Sequence, residues 1–192
     1  GVKQFIYASS GSVYGVSDAP EVTESTTLNP ISDYNKTKMV AERILLSYAD
    51  KMAVQIVRPA TVCGWSPRMR LDVMVNSFVI QALIWNVICY NGGEQYRPNI
   101  HIEDMTDLYL WMLDRPGLRG ILNAGFENLK IKEIAKKVAD RTGARILTQE
   151  SNDPRSYRHN SDKLHENGFK PHHTVSEAID QIIHKYRTGQ LK

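Results

Sequence analysis

The 192-residue sequence lacks several features that define large classes of proteins. No window approaches eighteen consecutive apolar residues, so no membrane-spanning helix is predicted. The chain does not open with a charged and apolar leader ending in a small-residue cleavage site. The two cysteines, Cys63 and Cys89, stand outside any CxxC or Cys/His spacing, which favours reduced, semi-buried thiols over a disulfide or metal site. These absences predict a cytoplasmic protein without a membrane partner.

A strong charge of one sign is also missing. The 24 Lys and Arg residues against 21 Asp and Glu leave a formal net charge of +3, and the basic residues are interspersed with acidic ones. This balance gives no electrostatic footprint for nucleic acid, so no nucleic-acid partner is predicted. Hydrophobic residues make up 42% of the chain, which is enough for the core of one ordinary domain or one and a half.

The sequence does contain an alternation of strand-like and helix-like segments, which is typical of an α/β fold. The helix over 70–85 is apolar around most of its circumference, which predicts burial between layers or against a second subunit. Between the first strand and first helix, residues 16–33 form a long polar loop, and such loops are usually functional. The periodicities predict strands at 3–8, 54–58, 87–90, 99–102, 120–124 and 145–148, and helices at 34–49, 70–85, 103–114, 130–142 and 174–187.

The helix at 34–49 opens with a tyrosine and a lysine four residues apart, in the segment YNKTK. This spacing places the Tyr34 phenol and the Lys38 ammonium on one helix face. A phenol titrates near pH ~10, and a neighbouring cation lowers its pKa by favouring the phenolate. The two residues could therefore form a proton-transfer pair, although so short a pattern is also typical of a half-packed tyrosine beside a solvated lysine.

A cluster of small hydroxyl residues follows the first predicted strand, in residues 5–15, FIYASSGSVYG. These hydroxyls emerge at the carboxyl end of the strand, which is the edge where open α/β sheets bind ligands. Taken alone, the cluster favours a serine-rich turn whose hydroxyls cap backbone amides.

Together these segments resemble the extended short-chain dehydrogenase/reductase family, specifically its NAD-dependent sugar-nucleotide epimerases and dehydratases. Four further segments match in the same order along essentially the whole chain. They are VQIVRPATVCG at 54–64, YRPNIHIED at 96–104, ILNAG at 121–125 and DPRSYRHNSDK at 153–163. The resemblance implies the carboxyl-terminal part of a Rossmann-type doubly wound parallel sheet, with a smaller α/β substrate-binding domain. It places the NAD-binding part at 1–66, with a return at about 100–126, and the sugar-nucleotide part at 67–99 and 127–192.

The family's positions imply a role for each matching residue. Tyr34 would be the general base, Lys38 would stabilise the phenolate and hold the nicotinamide ribose, and Ser10 would bind the sugar oxygen. The cofactor would be NAD rather than NADP, and the partners a nucleotide sugar and a second copy of the chain. The dimer would be built partly on the helix at 34–49. The remaining implied contacts are Ala8, Ser9 and Pro59 for the cofactor, and Ser12, Thr61, Asn76, Arg97, Arg155 and Tyr157 for the substrate.

Members of the family ordinarily begin with a strand and a glycine-rich turn that holds the cofactor pyrophosphate. Neither Gly-x-Gly-x-x-Gly nor Gly-x-x-Gly-x-x-Gly occurs in this sequence. The resemblance therefore predicts that the chain is the carboxyl-terminal portion of such an enzyme, and that residues 1–192 alone bind NAD poorly.

Other positions depart from the family pattern. In the dehydratases the residue matching Ser10 is followed by Asp-Glu, the acid and base of the elimination, whereas Gly11 and Ser12 follow here. Thr61 stands where many epimerases have Asn. Glu150 replaces a second diphosphate-binding Arg, for which Arg155 and Arg158 lie close enough to compensate. The prediction is thus NAD-dependent epimerisation of a nucleotide-activated hexose, with a dehydratase or reductase of the same family, or an inactive nucleotide-sugar-binding or dimerising module, as alternatives.

Two other chemistries are disfavoured. The serine in Gly11-Ser12-Val13-Tyr14-Gly15 is one place too early for a Gly-x-Ser-x-Gly nucleophile elbow. His101, Glu103 and Asp104 could be drawn as metal ligands, but no second histidine lies at helical spacing, so no metal is predicted. His172 and His173 are interpreted as a polar turn.

Overall fold

A computed structural model describes residues 1–17, 19–151, 153 and 156–191. The strands among these residues are β1 (Gln4–Ala8), β2 (Glu21–Val22), β3 (Ala53–Pro59), β4 (Thr61–Cys63), β5 (Val87–Asn91), β6 (Tyr96–His101), β7 (Gly120–Ala124), β8 (Glu127–Lys130), β9 (Arg145–Gln149) and β10 (Arg158–His159). The helices are α1 (Asp33–Leu46), α2 (Met74–Trp85), α3 (Ile102–Leu113), α4 (Ile131–Thr142), α5 (Asp162–Glu166) and α6 (Val175–Arg187). A 3₁₀ helix covers Gly11–Tyr14.

Three parallel strands in the order β1-β3-β7 form the sheet that carries the serine turn. The middle strand, β3, is buried along most of its length, as expected for a parallel strand covered on both faces. Because all three strands are parallel, their carboxyl ends lie at one edge of the sheet, where Ser9, Ala60 and Gly125 follow them.

The other strands form smaller sheets. In the order β4-β6-β8, the first pair is parallel and the second antiparallel, while β5 pairs with β9 and β10 pairs with β2. The short strand β2 lies inside the loop at 16–33, so that loop is tied down by the distant segment at 158–159. The division of the chain into two domains stays a prediction.

Two apolar clusters form the core. One packs α2 against α4 and α6, and includes Phe78, Ile134 and Ile182. The other packs α3 against the three-stranded sheet, and includes Val57 and Leu108. α6 begins with a capping box, in which Thr174 Oγ1 accepts from the Glu177 amide and Glu177 accepts from the Thr174 amide.

The helix predicted at 70–85 differs from the observed one in two ways. α2 begins only at Met74, because Arg70 and Asp72 form a bidentate ion pair in the preceding loop and the Asn76 amide binds that loop's backbone. Its last turn is also less buried than predicted, since Ile84 and Trp85 are exposed.

Both cysteines are free, but the prediction that both are semi-buried was wrong. Cys63 is buried at the end of β4 and Cys89 is exposed on β5. Burial raises the pKa of the Cys63 thiol to about 12, so this thiol stays protonated at neutral pH. Within the described residues, no helix combines the length and the apolar character needed to cross a bilayer.

Candidate active site

Tyr34 and Lys38 lie on the same face of the first turns of α1. Ser32 caps this helix by accepting a hydrogen bond from the Asn35 amide, which fixes where the helix begins. Lys38 Nζ lies 5.7 Å from the centre of the Tyr34 ring and donates to the Ala8 carbonyl over 2.7 Å. The lysine therefore links α1 to the carboxyl end of β1, while the Tyr34 side chain projects outward with the residue 57% exposed.

The serine turn presents a short chain of hydroxyl groups. Ser12 Oγ donates to Asn35 Oδ1 over 2.7 Å, and Ser10 Oγ lies 2.7 Å from Ser12 Oγ. Since the Ser12 hydrogen points to Asn35, Ser10 is the donor in the Ser10–Ser12 contact. Ser10 Oγ also accepts from the Ser12 amide, so this turn holds its own hydroxyls in place.

A buried ion pair supports the turn from behind. Arg58 donates from Nη2 to Glu42 Oε2 over 2.6 Å and from Nε to Glu42 Oε1 over 3.0 Å, and both side chains are 3% exposed. Ser9 Oγ donates to the same carboxylate. This arrangement satisfies the Glu42 charge with three hydrogen bonds and ties β1, β3 and α1 together.

The network continues through Tyr14. Arg58 Nη1 donates to the Tyr14 hydroxyl over 2.9 Å, and that hydroxyl donates to Asn123 Oδ1 over 2.7 Å. Burial of the ring raises the pKa of Tyr14, so its hydroxyl keeps its proton. Burial alone would lower the pKa of Arg58, but the hydrogen bonds to Glu42 and Tyr14 outweigh it and raise that pKa.

One cleft of about 420 Å³ collects most of the predicted site residues. The hydroxyl turn, the Tyr34 side chain and Arg97 all line it. The predicted residues that line it are Ser9, Ser10, Ser12, Tyr34, Pro59, Thr61, Arg97 and Tyr157.

Arg97 lies between this cleft and a second one of about 580 Å³. Its Nη2 is 3.0 Å from Asp153 Oδ2 and its Nη1 donates to the Tyr96 carbonyl. Phe78 and Tyr90 line the second cleft, with ring centres 5.7 Å apart. Arg97 therefore lines both the cleft that contains the serine hydroxyls and the cleft that contains the Phe78 and Tyr90 rings.

Two predicted substrate residues lie elsewhere. Asn76 is buried, accepts from the Gly64 amide and donates to the Arg70 carbonyl, so its amide holds the loop before α2 and does not line the cleft. Arg155 lies outside the described residues. The roles assigned to all the site residues stay predictions.

A cluster that the sequence pattern missed lies at the start of α3. The rings of His101 and His173 stack with centres 4.8 Å apart, and His173 Nε2 lies 3.2 Å from Glu103 Oε2. His101 Nδ1 accepts from the Glu103 amide, so its Nε2 carries the proton in the neutral ring. A metal at Nε2 would have to replace that proton and leave an imidazolate, so this tautomer disfavours metal binding. Burial, with His173 next, lowers the pKa of His101.

The sequence analysis also did not predict the buried network of Glu42, Arg58 and Tyr14, although one residue in the sequence indicated it. Arg58 is the one charged residue of a buried strand, and a buried arginine needs an anionic partner. The partner, Glu42, is the only fully buried residue of α1, and nothing in the helix's periodicity distinguishes it from the neighbouring polar residues.

Comparisons with known proteins identify the family and the fold of the chain. A model described as the NAD dependent epimerase/dehydratase family matches residues 1–125. The chain is 29% identical over 212 residues to UDP-glucose 4-epimerase of Lactobacillus helveticus, covering 95% of this chain and 62% of that protein. It is 29% identical over 204 residues to dTDP-D-glucose 4,6-dehydratase of Mus musculus, covering 97% and 56%. The chain thus spans about 56% to 62% of the length of these relatives.

Solved structures share the fold. MoeE5 in complex with UDP-glucose and NAD superposes with a TM-score of 0.85 at 24% identity, covering 98% of this chain and 66% of that one. RMD from Pseudomonas aeruginosa complexed with NADPH gives a TM-score of 0.83 at 23% identity, covering 97% and 67%. The α/β architecture is therefore that of Rossmann-type enzymes, as predicted. With its family model matched over residues 1–125, the chain belongs to the NAD-dependent epimerase/dehydratase family.

Proposed function

We propose that the protein epimerises a nucleotide-activated hexose by transiently oxidising one carbinol of the sugar. The observation that carries this proposal is the single cleft that contains Tyr34, Ser10 and Arg97. The phenol and the serine hydroxyl in this cleft suit a sugar carbinol, and the guanidinium suits a diphosphate.

The residues at the carboxyl ends of β1 and β3 fit the nicotinamide end of NAD. Ser9, Pro59 and Ala60 line the cleft beside Tyr34, and the Lys38 ammonium is held at the end of β1, within reach of a ribose hydroxyl. When bound, NAD supplies a hydride acceptor and donor. The sequence contains no glycine-rich turn for the pyrophosphate, so these residues account for one end of the cofactor only.

In this proposal Tyr34 takes the proton from the reacting carbinol and later returns it. Lys38 stabilises the phenolate that this role requires, because its ammonium lies on the same face of α1 as the Tyr34 ring. Ser10 turns its hydrogen from Ser12 to the sugar oxygen as that oxygen becomes a carbonyl. Ser12 stays oriented by Asn35, so only one hydroxyl has to move.

Arg97 binds the diphosphate and thereby sets how far the sugar reaches toward Tyr34. In the described structure one side of its guanidinium faces Asp153, so the diphosphate competes with or joins that carboxylate. The second cleft then accepts the nucleoside, because Phe78 and Tyr90 give it an apolar, aromatic wall.

The 4,6-dehydratase reaction is the second candidate, because dTDP-D-glucose 4,6-dehydratase of Mus musculus is as similar to the chain as the epimerase relative. That reaction needs an acid and a base beside the oxidised carbon. Gly11 and Ser12 stand at those two positions and offer neither a carboxylic acid nor a carboxylate. Asp33, beside Tyr34, has a side chain that is 99% exposed and pairs with Lys36.

The decisive assay incubates the full-length protein and NAD with UDP-, dTDP-, GDP- and CDP-hexoses and follows product mass and stereochemistry. We expect a product of unchanged mass that is a new sugar diastereomer. Loss of one water, giving a 4-keto-6-deoxy sugar, would instead establish the dehydratase. Nucleotide-sugar binding without any turnover would leave only the binding module.

A homodimer built on α1 is part of the same proposal. The helix buries only Glu42 fully and leaves apolar side chains exposed, among them Val40 and Ile44. An exposed apolar stripe of this kind favours an interface. Sedimentation of the wild type against Ile44→Lys tests it, since the charge should shift a dimer to monomers; a wild-type monomer would remove the dimer from the proposal.

A further inference from the structure

His159 is the most unusual polar side chain beside the site. It is 2% exposed, and neither ring nitrogen has a hydrogen-bond partner among the described residues. Burial, with the nearby Arg58 charge second, lowers its pKa to about 3, so the ring is neutral. A neutral imidazole still carries one N–H, and leaving a buried donor without an acceptor is unfavourable.

The His159 ring packs against the turn that carries Ser10 and Ser12. A Cβ built on Gly11 would lie 2.5 Å from both Cε1 and Nε2 of the ring. Real Cβ atoms are not found so close to another heavy atom. The Gly11 backbone has no left-handed φ, so the missing space, and not the backbone conformation, is what requires glycine there.

The backbone around His159 is fixed on both sides, so the ring cannot easily move away. The Asn128 side chain accepts from the His159 amide over 2.8 Å and donates to the His159 carbonyl over 3.1 Å. Two residues later, Ser161 Oγ accepts from the Gly125 amide and donates to the Gly125 carbonyl. This segment is therefore anchored to β8 and to the end of β7.

The same segment also holds the turn by a direct hydrogen bond. The Tyr157 hydroxyl donates to the Gly11 carbonyl over 3.2 Å. Tyr14, at the end of the 3₁₀ helix, packs edge-on against the His159 ring with centres 5.7 Å apart. Tyr157 therefore contacts the Gly11 carbonyl, while His159 packs against the Gly11 α-carbon and against Tyr14, the last residue of the 3₁₀ helix.

We propose that His159 is a positioning residue, whose ring occupies the place of a side chain at position 11 and thereby fixes the Ser10–Ser12 turn against the cleft. The catalytic consequence of this role rests on the proposed function. It explains in steric terms why the turn carries a hydroxyl on each side of position 11 but no acid between them. An aspartate at position 11, as in the dehydratases, has no room while His159 is present.

The test is a double-mutant cycle in the full-length protein, with thermal unfolding and steady-state kinetics as readouts. Gly11→Ala in the wild type should lower Tm by about 3–10 °C, the range expected for overpacking in a protein of this size. It should also lower kcat about tenfold or more with little change in KM, because the displaced turn carries Ser10 and leaves Arg97 in place.

In a His159→Ala background the same Gly11→Ala change should lower Tm and kcat much less, because the ring that blocks the methyl group is gone and only the Pro59 carbonyl oxygen, 3.1 Å from the built Cβ, stays close. Equal losses in both backgrounds would overturn the proposal, and so would a lower Tm with an unchanged kcat. Gly117→Ala is the matched control, since a Cβ there meets nothing within 4 Å.

Gly125→Ala shows whether the rescue is specific. Its Cβ would lie 2.8 Å from the Ala60 Cβ, 2.8 Å from His159 Nδ1 and 3.0 Å from the His159 Cβ, and only the Nδ1 contact is lost in His159→Ala. This variant should therefore stay destabilised in both backgrounds, and full rescue would mean that the relief is not steric and would overturn the assignment. A wild type without epimerase turnover would contradict the proposed function alone, because the unfolding cycle still decides whether His159 blocks position 11.

Discussion

The serine turn has a buried side and an open side, and the two sides are built differently. On the buried side, Ser9, Glu42 and Arg58 have fixed partners that lie within the protein. On the open side, Ser10 and Tyr34 project into a cleft, where a bound molecule can replace water or a neighbouring hydroxyl. We infer that the buried groups hold the backbone of the turn in place and that the groups on the open side react with the substrate.

Tyr34→Phe should have the largest effect, and on turnover only. Positioned acid–base catalysis contributes about 10²–10⁴-fold, so kcat should fall by that factor. Because the side chain projects into solvent, Tm and nucleotide-sugar affinity should stay near the wild-type values. Steady-state kinetics, calorimetry and thermal unfolding measure the three quantities.

Tyr48→Phe is the control for this change, since Tyr48 is also exposed but lies beyond the end of α1, outside the cleft. A Tyr34→Phe enzyme that keeps the wild-type rate would end the assignment of Tyr34 as the base.

Glu42→Gln tests the buried side and should act on stability. Removing one partner of a buried ion pair typically costs about 3–5 kcal/mol, because the Arg58 charge is left uncompensated. The free energy of unfolding from a urea titration measures this loss. The control is Asp140→Asn, which breaks an exposed pair with Lys136 and should change stability by about 0.5 kcal/mol or less.

A small effect of Glu42→Gln, comparable with that of the control, would mean that the network does not hold the turn. The comparison between the two sides would then rest on His159 alone.

The pH dependence of unfolding is a further test of the buried side of the turn, where His159 lies. The pKa of His159 is about 3 in the folded protein and ~6.5 in an unfolded chain, so the unfolded state binds one more proton between these pH values. This group's contribution to stability is fully present above pH ~6.5 and is lost as the pH falls toward 3. The slope is about 1.4 kcal/mol per pH unit.

The charged and polar groups facing the ring are Arg58, Tyr14 and Tyr157. In the His159→Ala protein, the free energy of unfolding should depend less steeply on pH in this range, because about one proton fewer is taken up on unfolding. His184→Ala, at an exposed position on α6, serves as the control. Identical slopes for the wild type and His159→Ala would show that His159 is protonated in the folded state.

The open side was largely predictable from the sequence, and the buried side was not. Tyr34 and Lys38 share a helix face because of a local four-residue spacing, and the serines follow a strand whose end is visible in the sequence. The cluster behind them joins Glu42, Arg58 and Asn123 across 81 positions, and no local periodicity records such a contact.

The same reason explains the errors in the fold. Two strands with apolar centres, β3 and β7, were predicted to within one residue at each end. The two-residue strands β2 and β10 have no pattern of their own and exist because they pair with each other. The start of α2 was misplaced since side-chain contacts to Asn76, and not the apolar spacing, determine where the helix begins.

Lys38→Met should give the smallest change in rate and the clearest change in pH dependence. If the ammonium stabilises the Tyr34 phenolate, its loss should move the acidic limb of the kcat profile to higher pH. Turnover at neutral pH should fall while turnover at high pH recovers. Lys36→Met is the control, because Lys36 lies on the same helix but pairs with the exposed Asp33. A slower enzyme with an unchanged profile would assign Lys38 to its contacts with β1, the hydrogen bond to the Ala8 carbonyl and the packing over the Tyr7 ring, and would place the lysine on the supporting side of the turn.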